Sequence, residues 1–184
     1  VRLYDRESES REEIAAQIAA ERGAVVVPSF DDKDIIAGQG TAGLEFARQM
    51  EQAGTPMDHL ICCAGGGGLI TGVALAMEHL SPDTRIWAAE PAGHDDWARS
   101  LEAGDIRANA PGTRSICDAI LTPAPGKITF ALGKRLLSGG LVVSDEDVRG
   151  AMRAAFRYLK IVVEPGGAVA LAAALSGKID MKDK

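Results

Sequence analysis

Apolar positions along this chain fall into two alternating rhythms. Five short runs are apolar at consecutive positions: "VRLY" (1–4), "AVVVP" (24–28), "HLICCA" (59–64), "RIWAAE" (85–90) and "LVVS" (141–144). Such runs read as strands, and the two-sided apolar character of "HLICCA" is that of a strand in the buried middle of a parallel sheet. Between them lie stretches whose apolar residues recur every three or four positions, the helical spacing. These are "SREEIAAQIAAERG" (10–23), "AGQGTAGLEFARQMEQAG" (37–54), "LITGVALAMEHL" (69–80), "HDDWARSLEAG" (94–104), "KITFALGKRLLSGG" (127–140), "SDEDVRGAMRAAFRYLK" (144–160) and "VEPGGAVALAAALSG" (163–177). Ser10 with Glu13, and Ser144 with Asp147, have capping-box spacing, and Gly23 stands where a helix end favours glycine. Residues 105–125 are punctuated by Pro and Gly and read as a loop with a short helical piece. Strands alternating with helices predict an α/β fold: three layers, a mostly parallel sheet with helices on both faces.

The boundaries raise the first chemical question. Four consecutive glycines, Gly65 to Gly68, separate the strand "HLICCA" from the next helix. Glycine loses more backbone freedom on folding than any other residue, so four together imply a very close approach to the main chain. Strand, glycine loop and helix is also the arrangement that presents unpaired N–H groups and a helix N-terminus to an anion. The alternative is a tight turn that packs the helix on the sheet, which one or two glycines would satisfy. A Walker A loop is excluded, because Leu69 and Ile70 follow where Lys and Ser/Thr are needed. A dinucleotide fingerprint is approached by Gly66, Gly68 and Gly72, one residue too long, with Glu90 placed as a ribose-binding acid. A single phosphate on a compact cofactor fits the loop better.

Glu90 closes a strand at the edge where ligands of α/β proteins gather, and His94, Asp95 and Asp96 open the following helix. Two readings stand side by side. The acids compensate the helix dipole, or Glu90 and Asp96 hold a hard cation with an intervening carbonyl and water.

Composition narrows the field. With 46% apolar residues in 184, the chain can build a substantial core. A net charge of -6, no basic run and few aromatics argue against nucleic acid as a partner. No apolar stretch is long enough to span a membrane, and no secretory pattern opens the chain. The three cysteines, Cys62, Cys63 and Cys117, make neither a disulfide framework nor a zinc motif, and point to reduced thiols in a cytoplasmic protein.

Taken together, the tetraglycine-Leu loop, "AGQGT" (37–41), "AAEP" (88–91) and "VEPGGAVALAAAL" (163–175) resemble the C-terminal part of a fold-type II pyridoxal-phosphate enzyme, in the threonine dehydratase and serine racemase group. "RSICDAILTPAPG" (114–126) leans towards the bacterial threonine dehydratase-like members. The resemblance implies that residues 1–8 end an upstream small domain, and that 9–184 form the large cofactor-binding domain, incomplete at both ends. It implies that the amides of Gly65, Gly66, Gly67, Gly68 and Leu69 wrap pyridoxal 5'-phosphate, with Asp118 and Glu164 near its ring. Glu90, the His94 carbonyl and Asp96 resemble the divalent-cation site of the serine racemase branch, suited to Mg2+, Mn2+ or Ca2+. The implied activity is deamination of a small β-hydroxy amino acid, threonine or serine, to a 2-oxo acid, in a homo-oligomer. Serine racemisation or hydroxyaspartate dehydration would use nearly the same parts. A non-catalytic phosphate-ligand-binding domain and a nucleotide-dependent oxidoreductase are the alternatives from other classes.

One departure is plain. The family's Schiff-base lysine lies in a Ser-x-Lys-x-Arg-Gly segment, and none of Lys33, Lys127, Lys134, Lys160, Lys178, Lys182 and Lys184 has that context. The lysine is therefore expected upstream, in a missing N-terminal part, with no catalytic residue here. From the sequence, Gly67→Asp is expected to abolish cofactor retention while leaving the fold largely intact.

Overall fold

A computed structural model describes residues 1–5 and 8–180; Lys182 and Lys184 lie outside these. Ten main elements follow in order: α1 (Arg11–Arg22), α2 (Lys33–Ala53), β1 (His59–Cys63), α3 (Gly68–Leu80), β2 (Arg85–Pro91), α4 (Asp96–Ala103), α5 (Lys127–Leu136), β3 (Gly139–Val143), α6 (Asp145–Ala154) and α7 (Pro165–Leu175). The strands form one parallel sheet in the order β1-β2-β3, with Cys63 opposite Ala89 and Ala89 opposite Leu141. Side chains alternate across it, as the pleat requires. Leu60, Cys62, Ile86 and Ala88 pack with Ile70, Val73, Met77, Trp97 and Phe130 from α3, α4 and α5. Ile61, Cys63, Trp87 and Ala89 turn the other way, onto Val148 and Ala151 of α6 and Val169, Ala172 and Ala173 of α7. The expected three-layer α/β architecture is therefore present.

The motif "AGQGT" has a packing role. It sits inside α2, where a Cβ on Gly40 would lie 3.0 Å from the Gly72 carbonyl oxygen of α3, and one on Gly72 would lie 2.3 Å from the Ile36 carbonyl oxygen. These glycines let the two helices pack backbone to backbone, and α3 carries the tetraglycine loop at its start.

Two expected strands do not form. Residues 1–4 and 24–28 have no strand partner among the described residues, and Val25 and Val27 stand 89% and 74% exposed. An apolar run becomes a strand only where a neighbour takes its N–H and C=O groups. The long helix expected over 144–160 divides instead. Its α-helical part, held by the Ser144–Asp147 capping box, ends at Ala154, and a π-helical turn runs over Ala155–Leu159 before Lys160 at φ 60°. Within 105–125 a single 3-10 turn, Asp118–Ile120, supplies the expected helical piece.

Candidate active site

At the C-terminal end of β1 the chain enters the glycine loop, and its carbonyls are tied down in sequence. The Trp97 indole N–H donates to the Gly65 carbonyl at 2.7 Å. The Thr129 hydroxyl donates to the Gly66 carbonyl at 2.7 Å, joined by the Gly126 N–H at 3.2 Å. The Gly67 carbonyl accepts from the Thr71 hydroxyl at 2.7 Å and from the Thr71 N–H at 3.0 Å. Among the described residues every peptide bond is trans, so each N–H points opposite to the carbonyl of its own peptide unit. Three carbonyls anchored in the protein thus turn the N–H groups of Gly66, Gly67 and Gly68 the other way. Among the described residues, none of the N–H groups of Gly66, Gly67, Gly68 and Leu69 finds an acceptor. With the positive end of the α3 dipole beside them, they make a cradle of donors suited to an anion.

This cradle opens into a cavity of about 320 Å³, lined on one side by Gly65 to Ile70. Facing them are Arg11, Phe30, Cys63, Ile120, Glu164 and Gly167, with Ala119 close by. Phe30 lies across the loop: a Cβ on Gly66 would fall 2.2 Å from its ring. Asp31 then fixes this strap to the molecule, its carboxylate accepting the N–H groups of Lys127, Ile128 and Thr129 at the start of α5. Glu164 reaches the cavity as the residue before α7. Asp118 is exposed and does not line it, although its neighbours Ala119 and Ile120 do. No described lysine lines it; Lys134 donates to the Gly104 carbonyl and Lys160 to that of Arg157.

The acidic corner lies behind the loop, joined to it by Trp97. Glu90 is fully buried, and its two oxygens accept the N–H groups of Trp97 and Ala98, both at 2.8 Å. Asp96, 1% exposed, accepts the Asn109 amide at 2.6 Å through Oδ1, while Oδ2 is buried without a partner. His94 Nδ1 is likewise buried and unpaired. Burial, and secondly the charge of Asp96, pushes the Glu90 pKa up to about 8; burial also pushes Asp96 up to about 6. Desolvation holds His94 below its ordinary value. Among the described residues no group of three or more His, Cys, Asp or Glu side chains could hold a metal ion. Glu90 and Asp96 contribute only two side-chain donors, so any cation there would also need backbone oxygen or water.

These shifts predict a pH dependence. Between its ordinary value of 4.5 and about 8, folded Glu90 keeps a proton that the unfolded chain has released. The folded state binds more protons across this window, so stability falls as pH rises through it. In chelator, the melting temperature is expected to drop between pH 5 and pH 8 by on the order of 5–10 °C. Glu90→Gln should flatten the slope, and a wild-type melting temperature that rises over this interval would refute the burial argument.

The fold is thus an α/β domain whose glycine loop, at the end of β1, faces a cavity with unpaired N–H groups. The chain belongs to the pyridoxal-phosphate dependent enzyme family, whose model matches residues 1–184. It is 42% identical over 168 residues to serine racemase of Oryza sativa subsp. indica, covering 91% of this chain and 48% of the relative. It is 39% identical over 172 residues to L-threo-3-hydroxyaspartate ammonia-lyase of Pseudomonas sp, covering 93% of this chain and 52% of that protein. Among solved structures, the T.th. threonine deaminase superposes with a TM-score of 0.88 at 41% identity, over 91% of this chain and 56% of that one. The chain spans about half the length of the curated relatives it matches.

The tetraglycine motif marks the cradle in the sequence, but what orients it has no such mark. Trp97, Thr129 and the Phe30-Asp31 pair come from stretches far from the loop with no local spacing to connect them, whereas Thr71 lies only four residues beyond Gly67. A buried Trp and Thr are ordinary core residues until a carbonyl is found at their polar end.

Proposed function

We propose that the chain forms the phosphate-binding half of a pyridoxal-phosphate site that deaminates a small β-hydroxy amino acid, serine or threonine, to a 2-oxo acid and ammonia. The observation that carries this reading is the row of outward-facing amides at Gly66–Leu69, backed by carbonyls that are already bonded. When bound, pyridoxal phosphate supplies an aldehyde that condenses with amines and a ring that takes up the electron pair left when Cα loses a proton. The residues of this chain do the rest of the holding. The cradle amides and the α3 N-terminus take the phosphate, and Phe30 and Ala119 shape the cavity beside it. Among the described residues Arg11 is the cationic side chain lining the cavity; its guanidinium pairs with the exposed Glu12 carboxylate, and its planar fork suits a substrate carboxylate in exchange. Loss of the α-proton and the β-hydroxyl gives, after hydrolysis, one 2-oxo acid, one ammonia and no net water. The amine that holds the aldehyde is supplied from outside the described residues, since no described lysine reaches the cavity.

Racemisation of serine is the second reading, favoured by the identity to serine racemase. Incubation with L-serine and L-threonine separates the two: 2-oxo acid release supports the lyase, and D-serine without pyruvate supports the racemase. Neither product from the holoenzyme would overturn the assignment. In the complete enzyme, Arg11→Ala should raise KM about 10–100-fold, as expected for loss of a charge-assisted bidentate pair. An unchanged KM would remove Arg11 from the site.

A divalent cation, Mg2+, Mn2+ or Ca2+, at Glu90, Asp96 and the His94 carbonyl belongs to the same proposal. Its support is the buried, unpartnered Asp96 oxygen beside a second buried carboxylate. A hundredfold excess over Kd stabilises by about 2.7 kcal/mol, or roughly 5–10 °C. Asp96→Ala should erase that shift, and identical wild-type melting with Mg2+ and with chelator would remove the site. Three unpaired cysteines support a cytoplasmic setting.

A further inference from the structure

We infer that Trp97 is a positioning residue for phosphate, setting the orientation of the first peptide unit of the cradle; this rests on the reading of Gly65–Leu69 as a phosphate site. The unit between Gly65 and Gly66 differs from the two that follow. The Gly67 carbonyl belongs to the first turn of α3 and is held by a backbone N–H as well as a hydroxyl. The Gly66 carbonyl has a backbone donor, Gly126, in addition to Thr129. The Gly65 carbonyl is held by the Trp97 indole at 2.7 Å. With glycine on both sides, rotation of this peptide plane meets little steric resistance. Without the indole N–H, nothing comparable would keep the carbonyl inward and the Gly66 N–H outward.

The placement of Trp97 is itself fixed on every side. Glu90 accepts its backbone N–H at 2.8 Å, which sets the first turn of α4. Its ring is fully buried and fills the space beneath Gly67 and beside Gly133: a Cβ on either glycine would come within 2.2 and 2.4 Å of ring carbons. Trp97 therefore cannot swing away from the loop without opening the core. A second consequence follows for specificity. Because the indole is a donor and never an acceptor, it enforces one orientation of the peptide, the one that offers N–H to an anion.

Two variants separate the hydrogen bond from the packing. Trp97→Phe removes the N–H and part of the ring. Site-specific replacement of Trp97 by 3-benzothienylalanine removes the N–H and keeps the ring shape, so it remains informative if the smaller side chain unfolds the protein. Binding of pyridoxal phosphate and of unphosphorylated pyridoxal is measured on the purified holoprotein after cofactor removal, together with the 15N shift of the Gly66 amide. The expected result is a loss of affinity for pyridoxal phosphate of about 10-fold or more, the worth of one charge-assisted hydrogen bond. Pyridoxal affinity should be unchanged, and the Gly66 amide should stop responding to the phosphorylated ligand. Equal losses for both ligands would make Trp97 a packing residue only and overturn the inference. So would wild-type affinity in both variants, although the phosphate-site reading would then stand. Failure of the wild type to distinguish pyridoxal phosphate from pyridoxal would overturn both.

Discussion

Gly67→Asp is expected to abolish retention of pyridoxal phosphate and to destabilise the fold by about 3 kcal/mol or more. Two separate effects add. Gly67 lies at φ 101°, where a side chain strains the backbone, and its Cβ would stand 2.2 Å from a Trp97 ring carbon. The new carboxylate would also face the anion the cradle is built to hold. The sequence-based expectation that the fold would stay largely intact is therefore corrected by the close fit of Trp97 under the loop. Gly65→Asp isolates the electrostatic part. Gly65 has no positive φ, and its Cβ would meet the Ile120 main chain at 3.2 Å, which must give by a few tenths of an ångström, a far smaller clash than at Gly67. Circular dichroism melting and visible absorbance of bound cofactor check both variants. Cofactor lost in both, with melting lowered chiefly in Gly67→Asp, is the expected pattern. Full cofactor occupancy in Gly65→Asp would remove the charge argument.

Supplied with pyridoxal phosphate, these 184 residues are expected to form no more 2-oxo acid from serine or threonine than the free cofactor does. The ground is geometric. None of Lys33, Lys127, Lys134, Lys160 and Lys178 lines the cavity, and two of them donate to backbone carbonyls elsewhere. With no amine of the described residues at the cavity, they offer no positioned base for the α-proton, a contribution typically worth about 10²–10⁴-fold. Borohydride reduction fixes the cofactor onto any lysine it has condensed with, and peptide mapping then locates it. Scattered, substoichiometric labelling is expected. Stoichiometric label on one lysine, with 2-oxo acid production, would overturn the claim.

Much of the fold was legible because its signals are local. "HLICCA" and "RIWAAE" are apolar at consecutive positions and occupy the adjacent strands β1 and β2, and the Ser144–Asp147 spacing forms a capping box. What failed depended on partners. Residues 1–4 and 24–28 have strand composition, but a strand is a property of a pair, and nothing in those residues names the neighbour. The π-helical turn at Ala155–Leu159 gave no periodic warning either. At the site the division is similar. Gly65–Gly68 announced itself by a cost that only a ligand or close contact explains, whereas Trp97 and Thr129 are recognisable only through the carbonyls they hold. "AGQGT" was informative as part of a family resemblance, yet its glycines serve the approach of α2 to α3.

Whether the amides of Gly66 to Leu69 hold the cofactor's phosphate is decided by amide chemical shifts during ligand titration. Pyridoxal phosphate, inorganic phosphate and pyridoxal would be titrated separately into 15N-labelled protein. The two phosphate-bearing ligands are expected to shift the Gly66, Gly67, Gly68 and Leu69 amides in the same direction and to compete with each other. Asp58 and Lys178, grouped with Arg85 at the opposite, N-terminal end of the strands, should stay unmoved. Pyridoxal alone should leave the four amides largely in place. Phosphate-dependent shifts confined to another part of the surface, or four glycine-loop amides that respond equally to pyridoxal, would contradict the phosphate cradle.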